Sequence, residues 1–165
     1  MLVLGIDPGT ATTGFGLVDG DKGKSRLVDY GTILTSPDTP MPERLLIINR
    51  ELNQLLQKYQ PDAVAIEQLF FHRNVKTAIT VAQSRGVLLM TAAEAGMSIA
   101  EYTPLQVKQA VVGYGNASKR QVQLMVQALL SLKAPPRPDD AADALAIAIC
   151  HLHSFRMNAL YERES

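Results

Sequence analysis

Three strand-forming stretches open the chain, Leu2 to Asp7, Gly14 to Asp19 and Arg26 to Leu34, with only short links between them. Pro8-Gly9-Thr10 begins the first link and Gly20-Asp21-Lys22-Gly23 makes the second, both turn-forming sequences. A parallel return would need a crossover of about a dozen residues or more, so links this short predict an antiparallel meander. A helix opened by Pro42-Glu43 follows, with Leu45, Ile48, Leu52, Leu55 and Tyr59 on one stripe. Pro61 stops it, and Asp62-Ala63-Val64-Ala65-Ile66-Glu67 reads as a fourth, mainly apolar strand.

A second helix pattern runs from about Asn74 to Ala95, with Val75, Ala78, Ile79, Ala82, Leu89 and Ala93 at helical spacing. Gly86 inside it predicts close approach by another backbone. Ser98 to Tyr102 is a short fifth strand. Thr103-Pro104-Leu105-Gln106 combines an N-cap, a proline at the first helical position and a capping-box glutamine; Ser118-Lys119-Arg120-Gln121 repeats the capping box. After Pro135, Pro136 and Pro138, Asp139 takes the N-cap place of a last helix. From Asp140 to about His153 that helix is mostly apolar, and so expected to be buried.

Strands and helices in this order predict an α/β fold, a five-stranded mixed sheet flanked by helices. It is the order of the ribonuclease H-like fold, in which strand four lies parallel to strand one and beside it. Asp7 and Glu67 then end neighbouring strands. The 165 residues, 47% of them apolar, suit one nuclease-sized domain. Its span is set at 1–155, with 156–165 expected as a flexible C-terminal tail.

Each acid has a bland local explanation. Asp7-Pro8-Gly9-Thr10 taken alone reads as a turn, and a lone glutamate at a strand end, such as Glu67, is ordinarily just solvated. Asp139, Asp140 and Asp143 lie where carboxylates complement a helix N-terminus. Asp143 fits that explanation least, as a charge within Ala141-Ala142-Asp143-Ala144-Leu145-Ala146-Ile147, because acids are seldom buried unless paired or bound to metal. Asp140 and Asp143 share a helix face, and spacing alone leaves Asp139 open as a further member.

Taken together, two strand ends and one helix start converge four carboxylates, Asp7, Glu67, Asp140 and Asp143. No Lys or Arg neighbours them in sequence. Like charges that close call for divalent cations, and hard oxygen donors without a Cys/His cluster predict Mg²⁺ or Mn²⁺. Two ions about 3.5–4 Å apart can flank a phosphodiester, one activating water and the other stabilising the leaving oxygen. His72, His151 and His153 show no paired ligand spacing and read as surface or structural residues.

Leu4-Gly5-Ile6-Asp7-Pro8-Gly9-Thr10, Ala65-Ile66-Glu67-Gln68, Ala82-Gln83-Ser84-Arg85-Gly86-Val87, Gln106-Val107-Lys108-Gln109 and Asp140-Ala141-Ala142-Asp143-Ala144-Leu145-Ala146 form an ordered set across nearly the whole chain. That set closely resembles the bacterial RuvC family of Holliday-junction resolvases. The resemblance implies a metal-dependent endodeoxyribonuclease, a homodimer that nicks a four-way DNA junction symmetrically in recombination and repair. It places the family's four catalytic, metal-binding acids on Asp7, Glu67, Asp140 and Asp143. Its junction-contacting aromatic falls on Phe70, with Phe71 beside it, and its functional lysines on Lys108 and Lys119. The helix from Asn74 to Ala95 matches the family's dimer-forming element, and RuvA and RuvB are the implied partners.

Physical chemistry adds its own reasons for the DNA contacts. Aromatics just after Glu67 can stack on an unpaired base, although one or both can equally seal the core. Lys119 and Arg120 start a helix, where backbone N–H groups also favour phosphate. Net charge is zero, yet between His72 and Arg120 six Lys and Arg face only Glu94 and Glu101, so one face suits an anion. The single cysteine, Cys150, and the absence of a signal-peptide pattern or a membrane-spanning run predict a cytoplasmic protein. Three rivals share parts of this pattern: a sugar-kinase or actin-like ATPase, a non-enzymatic nucleic-acid-binding module, and a ribonuclease acting on RNA–DNA hybrids. The first needs two related domains, the second gains nothing from four acids that repel phosphate, and the third is separated by its substrate.

Overall fold

The computed structural model describes residues 1–21, 23–69 and 74–164, the stretch 158–164 by its backbone alone. Strands β1 (Leu2–Asp7), β2 (Thr12–Asp21) and β3 (Lys24–Leu34) form the expected meander. Helix α1 (Met41–Tyr59) crosses to β4 (Ala63–Glu67), and α2 (Val75–Glu94) leads to β5 (Ser98–Tyr102). Helices α3 (Pro104–Val112), α4 (Lys119–Leu129) and α5 (Asp139–Glu164) complete the chain. The sheet order is β3-β2-β1-β4-β5, with β4 parallel to both β1 and β5. This is the five-stranded mixed sheet, flanked by helices, of a ribonuclease H-like fold.

Strand alternation divides the core. Leu4, Ile6, Val64 and Ile66 pack with Ile48 and Leu52 of α1 and Leu88 of α2. Val3 and Ala65 face the other way, onto Leu145, Ala148 and Ile149 of α5, with Val107 of α3 and Val126 of α4 beside them. Asp7 and Glu67 continue the second set by parity, so both strand ends are directed to the α5 side of the sheet.

Helix α5 lies very close to the sheet. A Cβ on Gly5 would run into the carbonyl oxygen of Ala144 and stand 2.7 Å from the Ala148 nitrogen. Gly14 meets the Asp140 carbonyl in the same way. The alanines of α5 provide the complementary low relief, and Ala141, Ala142, Ala144, Ala146 and Ala148 are all buried. Gly5→Ala is expected to destabilise the protein by about 1–3 kcal/mol, because neither backbone can yield to the added methyl. A melt lowered by about 2–4 °C per kcal/mol checks this, and an unchanged midpoint contradicts the close approach.

Other expectations meet the structure in different ways. Among the described residues, nothing beyond its chain neighbours and its own helix backbone lies within 4 Å of a Cβ on Gly86, which is exposed. The apolar stripe on α2 is largely exposed in the single chain: Val75 is 71% and Ile79 53% accessible, while the residues of α2 that are buried are Ser84, Leu88, Thr91 and Ala92. Helix α5 runs through Glu164, past the His153 at which the sequence pattern places its end. Its first bonds go to the Pro138 carbonyl, which accepts from Ala141 and Ala142, so Asp139 stands inside the helix and Pro138 takes the N-cap place. Both expected capping boxes are present, at Thr103–Gln106 and Ser118–Gln121.

Candidate active site

The β1–β4 ladder runs from Val3↔Ala63 to Ile6↔Ile66, so Asp7 and Glu67 stand side by side one step beyond it. The first turns of α5 bring Asp140 and Asp143 to the same end of the sheet, against Gly14 of the neighbouring strand. Burial, then the charges of Glu67, Asp143 and Asp140, push the Asp7 carboxyl up to about 8, with Lys119 pulling against them. Glu67 is pushed up to about 7 by burial and by Asp143, opposed by Lys119 and Lys108. Asp143 is raised too, by burial, even though Lys119 hydrogen-bonds it. Asp7 therefore feels the charges of the other three acids.

Lys119 reaches the cluster from the start of α4. Its Nζ donates to Asp143 Oδ2 at 2.9 Å and lies 3.8 Å from Asp139 Oδ2. Burial pulls this ammonium down, but the Asp143 hydrogen bond and the charges of Asp143, Asp139 and Asp7 outweigh it and hold its pKa above the ordinary value. A cavity of about 220 Å³ opens here, bordered by Glu67, Asp143, Lys108 and Lys119 over Val107 and Val122. Arg120 is exposed on α4 and does not line it. Asp139 accepts from Arg137 at 2.8 Å and from Gln123 at 3.0 Å; its charge acts on Lys119 and Asp143, but it is not among the groups acting on Asp7.

The family model described as "Crossover junction endodeoxyribonuclease RuvC" matches residues 3–151. The chain belongs to the RuvC family. The crossover junction endodeoxyribonuclease RuvC of Syntrophomonas wolfei is 65% identical over 162 residues, covering 98% of this chain and 94% of that one. A Thermus thermophilus RuvC structure matches with a TM-score of 0.88 at 42% identity, covering 96% of this chain and 97% of that one. The T. thermophilus RuvC in complex with Holliday junction substrate matches with a TM-score of 0.92 at 43% identity, covering 96% of each chain.

In this RuvC-family chain the structure assembles all four expected acids together with Lys108 and Lys119. Phe70, with Phe71 beside it, lies outside the described residues. Among the described residues, no three His, Cys, Asp or Glu side chains converge closely enough, as they stand, to hold a metal ion. The donor chemistry still fits one: Asp7 and Glu67 are carboxyls raised by burial and by neighbouring carboxylates, a hard-oxygen set whose repulsion a divalent cation would relieve. The Lys119 ammonium takes part of that role at Asp143 in this structure. His151 and His153 have structural partners, Tyr102 Oη at 2.8 Å and the Ala110 carbonyl at 2.9 Å.

Two features of the site escape sequence reasoning: the bond by which Lys119, already expected as a DNA contact, reaches Asp143, and the contact that Arg85 makes. No Lys or Arg neighbours the acids along the chain, yet Lys119 arrives from a different helix. Arg85 of α2 also donates from Nε to the Glu67 carbonyl oxygen at 3.0 Å. The only signal for Arg85 was its place within the family-like stretch Ala82–Val87, which carries no chemical role on its face.

Proposed function

We propose that this chain resolves four-way (Holliday) DNA junctions by hydrolysing phosphodiester bonds at Asp7, Glu67, Asp140 and Asp143. It is a metal-dependent endodeoxyribonuclease of recombination and repair. The observation that carries the assignment of the site is the placement of Asp7 and Glu67 on adjacent parallel strand ends beneath the start of α5. Asp7, Glu67, Asp140 and Asp143 would hold Mg²⁺ or Mn²⁺, two ions per site in this reading. Bound there, the metal would supply an activated water and charge stabilisation for the leaving oxygen.

The protein's own groups supply the rest. Lys108 and Lys119 border the cavity beside the acids, where ammonium groups can bind the phosphates flanking the cut, and exposed Arg120 extends that basic edge. Phe70 is assigned to stacking on an opened base at the junction centre. The exposed α2 stripe, with Ile79, Ala82, Gly86 and Met90, supports a homodimer, because two symmetric nicks need two sites related by a two-fold axis. Among the described residues no helix is long and apolar enough to cross a membrane. The reading places the protein in the cytoplasm, with RuvA and RuvB as partners.

The test presents a four-way junction, a linear duplex and an RNA–DNA hybrid, each with and without Mg²⁺ or Mn²⁺. Paired nicks at symmetric positions of the junction alone, dependent on the metal, are expected. Cleavage of the hybrid in preference to the junction would reassign the substrate.

A further inference from the structure

Adjacent residues of α2 grip the two strand ends on which Asp7 and Glu67 stand. The fully buried Ser84 hydroxyl shares a hydrogen bond of 3.1 Å with the Thr10 hydroxyl, in the turn that leaves Asp7. Thr10 is fixed from its other side as well, since its carbonyl accepts from Thr35 Oγ, and Arg44 Nε donates to that same hydroxyl at 2.8 Å. One residue along, Arg85 donates to the Glu67 carbonyl and ion-pairs with Glu101 of β5. Glu101 faces Ile66 in the β4–β5 ladder, while the β1–β4 ladder stops at Ile6↔Ile66. The Glu67 carbonyl is thus past its last β1 pairing, and the Arg85 guanidinium secures it.

We infer that Arg85 is a positioning residue for the nuclease site, holding the end of β4 so that the Glu67 carboxylate meets Asp7 in register. The inference rests on the functional reading above. Its chemistry suits the task. A guanidinium presents several donors in a rigid fork, so one side chain can serve the Glu67 carbonyl and the Glu101 carboxylate together. An ammonium is a point donor and cannot hold both in one geometry. Arg85 is mostly shielded, at 17% exposure, which keeps that fork from being lost to water. Small displacements matter here, because reacting groups misplaced by about 1 Å lose rate by roughly a hundredfold.

The experiment compares the full-length protein with Arg85→Gln, Arg85→Lys and Glu101→Gln. Four quantities are measured: junction affinity in EDTA, the rate of nicking at saturating junction, the Mn²⁺ concentration giving half-maximal rate, and the rise in Tm with added Mn²⁺. Arg85→Gln is expected to lower the nicking rate by about 10–100-fold, the range for losing a partner that orients a metal ligand. It should also raise the half-saturating Mn²⁺ and shrink the Mn²⁺-induced rise in Tm, with junction affinity unchanged. Glu101→Gln keeps the bond to Glu67 and is expected to show a smaller change in all three. Arg85→Lys carries the same test where Arg85→Gln does not fold, and it too should need more Mn²⁺.

A purely structural Arg85 would lower the metal-free Tm and leave the Mn²⁺ dependence and the rate per folded molecule at parental values. That outcome overturns the positioning role. A parent protein that leaves the junction intact overturns the functional reading instead, and the Mn²⁺-induced shift in Tm still reports whether Arg85 shapes the site.

Discussion

Asp7→Asn is expected to abolish junction cleavage, by about a thousandfold or more, well beyond the roughly 10–100-fold loss typical of residues one shell further out. Junction binding should persist at parental affinity. The two effects separate because Asp7 serves only one of them. Its carboxyl lies among Glu67, Asp140 and Asp143, where in the proposed reading it would complete the donor set for a hard cation. Without metal that carboxyl, held up to about 8, stays largely protonated near neutral pH, so the neutral amide removes a ligand while leaving the charge met by a phosphodiester little changed. Lys108, Lys119 and the basic surface around them, the proposed phosphate contacts, are unchanged in the variant. Gel-shift affinity in EDTA and nicking in Mn²⁺ read the two quantities independently. Loss of both in a folded variant would move Asp7 from the chemistry to the binding surface.

Much of this arrangement is legible in the sequence because it depends on short-range rules. Links as short as Pro8–Ala11 leave only an antiparallel return, and the capping boxes at Thr103 and Ser118 mark their helices through bonds that span three residues. The apolar run Ala144–Leu152 announces a buried helix whatever it packs against. The meeting of Asp7 with Glu67 follows from a crossover between parallel strands once the strand order is known.

What the sequence hides is long-range or depends on solvent. Lys119 and Asp143 are far apart along the chain, and no local pattern announces that α4 delivers an ammonium to the acids. Arg85 presents an ordinary basic residue on a helix, and its bond is to a backbone oxygen, which any residue at position 67 would offer. The apolar spacing on α2 is a true helical signal, but periodicity cannot say whether a stripe faces the core of one chain or a second copy. Here Ser84, Leu88, Thr91 and Ala92 face inward, and the stripe remains outside. The extension of α5 past His153 escapes notice for a related reason. The loss of apolar character there marks the edge of the sheet beneath the helix, and neither Gly nor Pro follows to stop it.

Metal-free protein is expected to lose stability as pH rises from about 4 to about 8, and Asp7→Asn to lose much less. Asp7 ionises near 3.8 in the unfolded chain and near 8 in the folded one. Between those values the folded protein retains a proton that the unfolded chain has released, so raising the pH favours unfolding until the folded carboxyl has ionised as well. Glu67 adds a slope of the same sign between 4.5 and about 7. The asparagine variant keeps the Glu67 contribution and that of Asp143, which is raised as well. The two proteins should therefore melt at similar temperatures near pH 4 and diverge toward pH 8, where the variant is the more stable by on the order of a few kcal/mol. For a chain of this length each kcal/mol is worth about 2–4 °C. Mn²⁺ should act against this difference, because a cation bound to ionised carboxylates stabilises the parent by about 2.7 kcal/mol at a hundred times its Kd and the variant by less. Melts of both proteins in EDTA across this pH range, repeated with Mn²⁺, measure every part of it. Parallel curves for parent and variant at all pH values would mean that Asp7 is as well solvated in the folded protein as in the unfolded one, and the carboxylates would then need no cation to coexist.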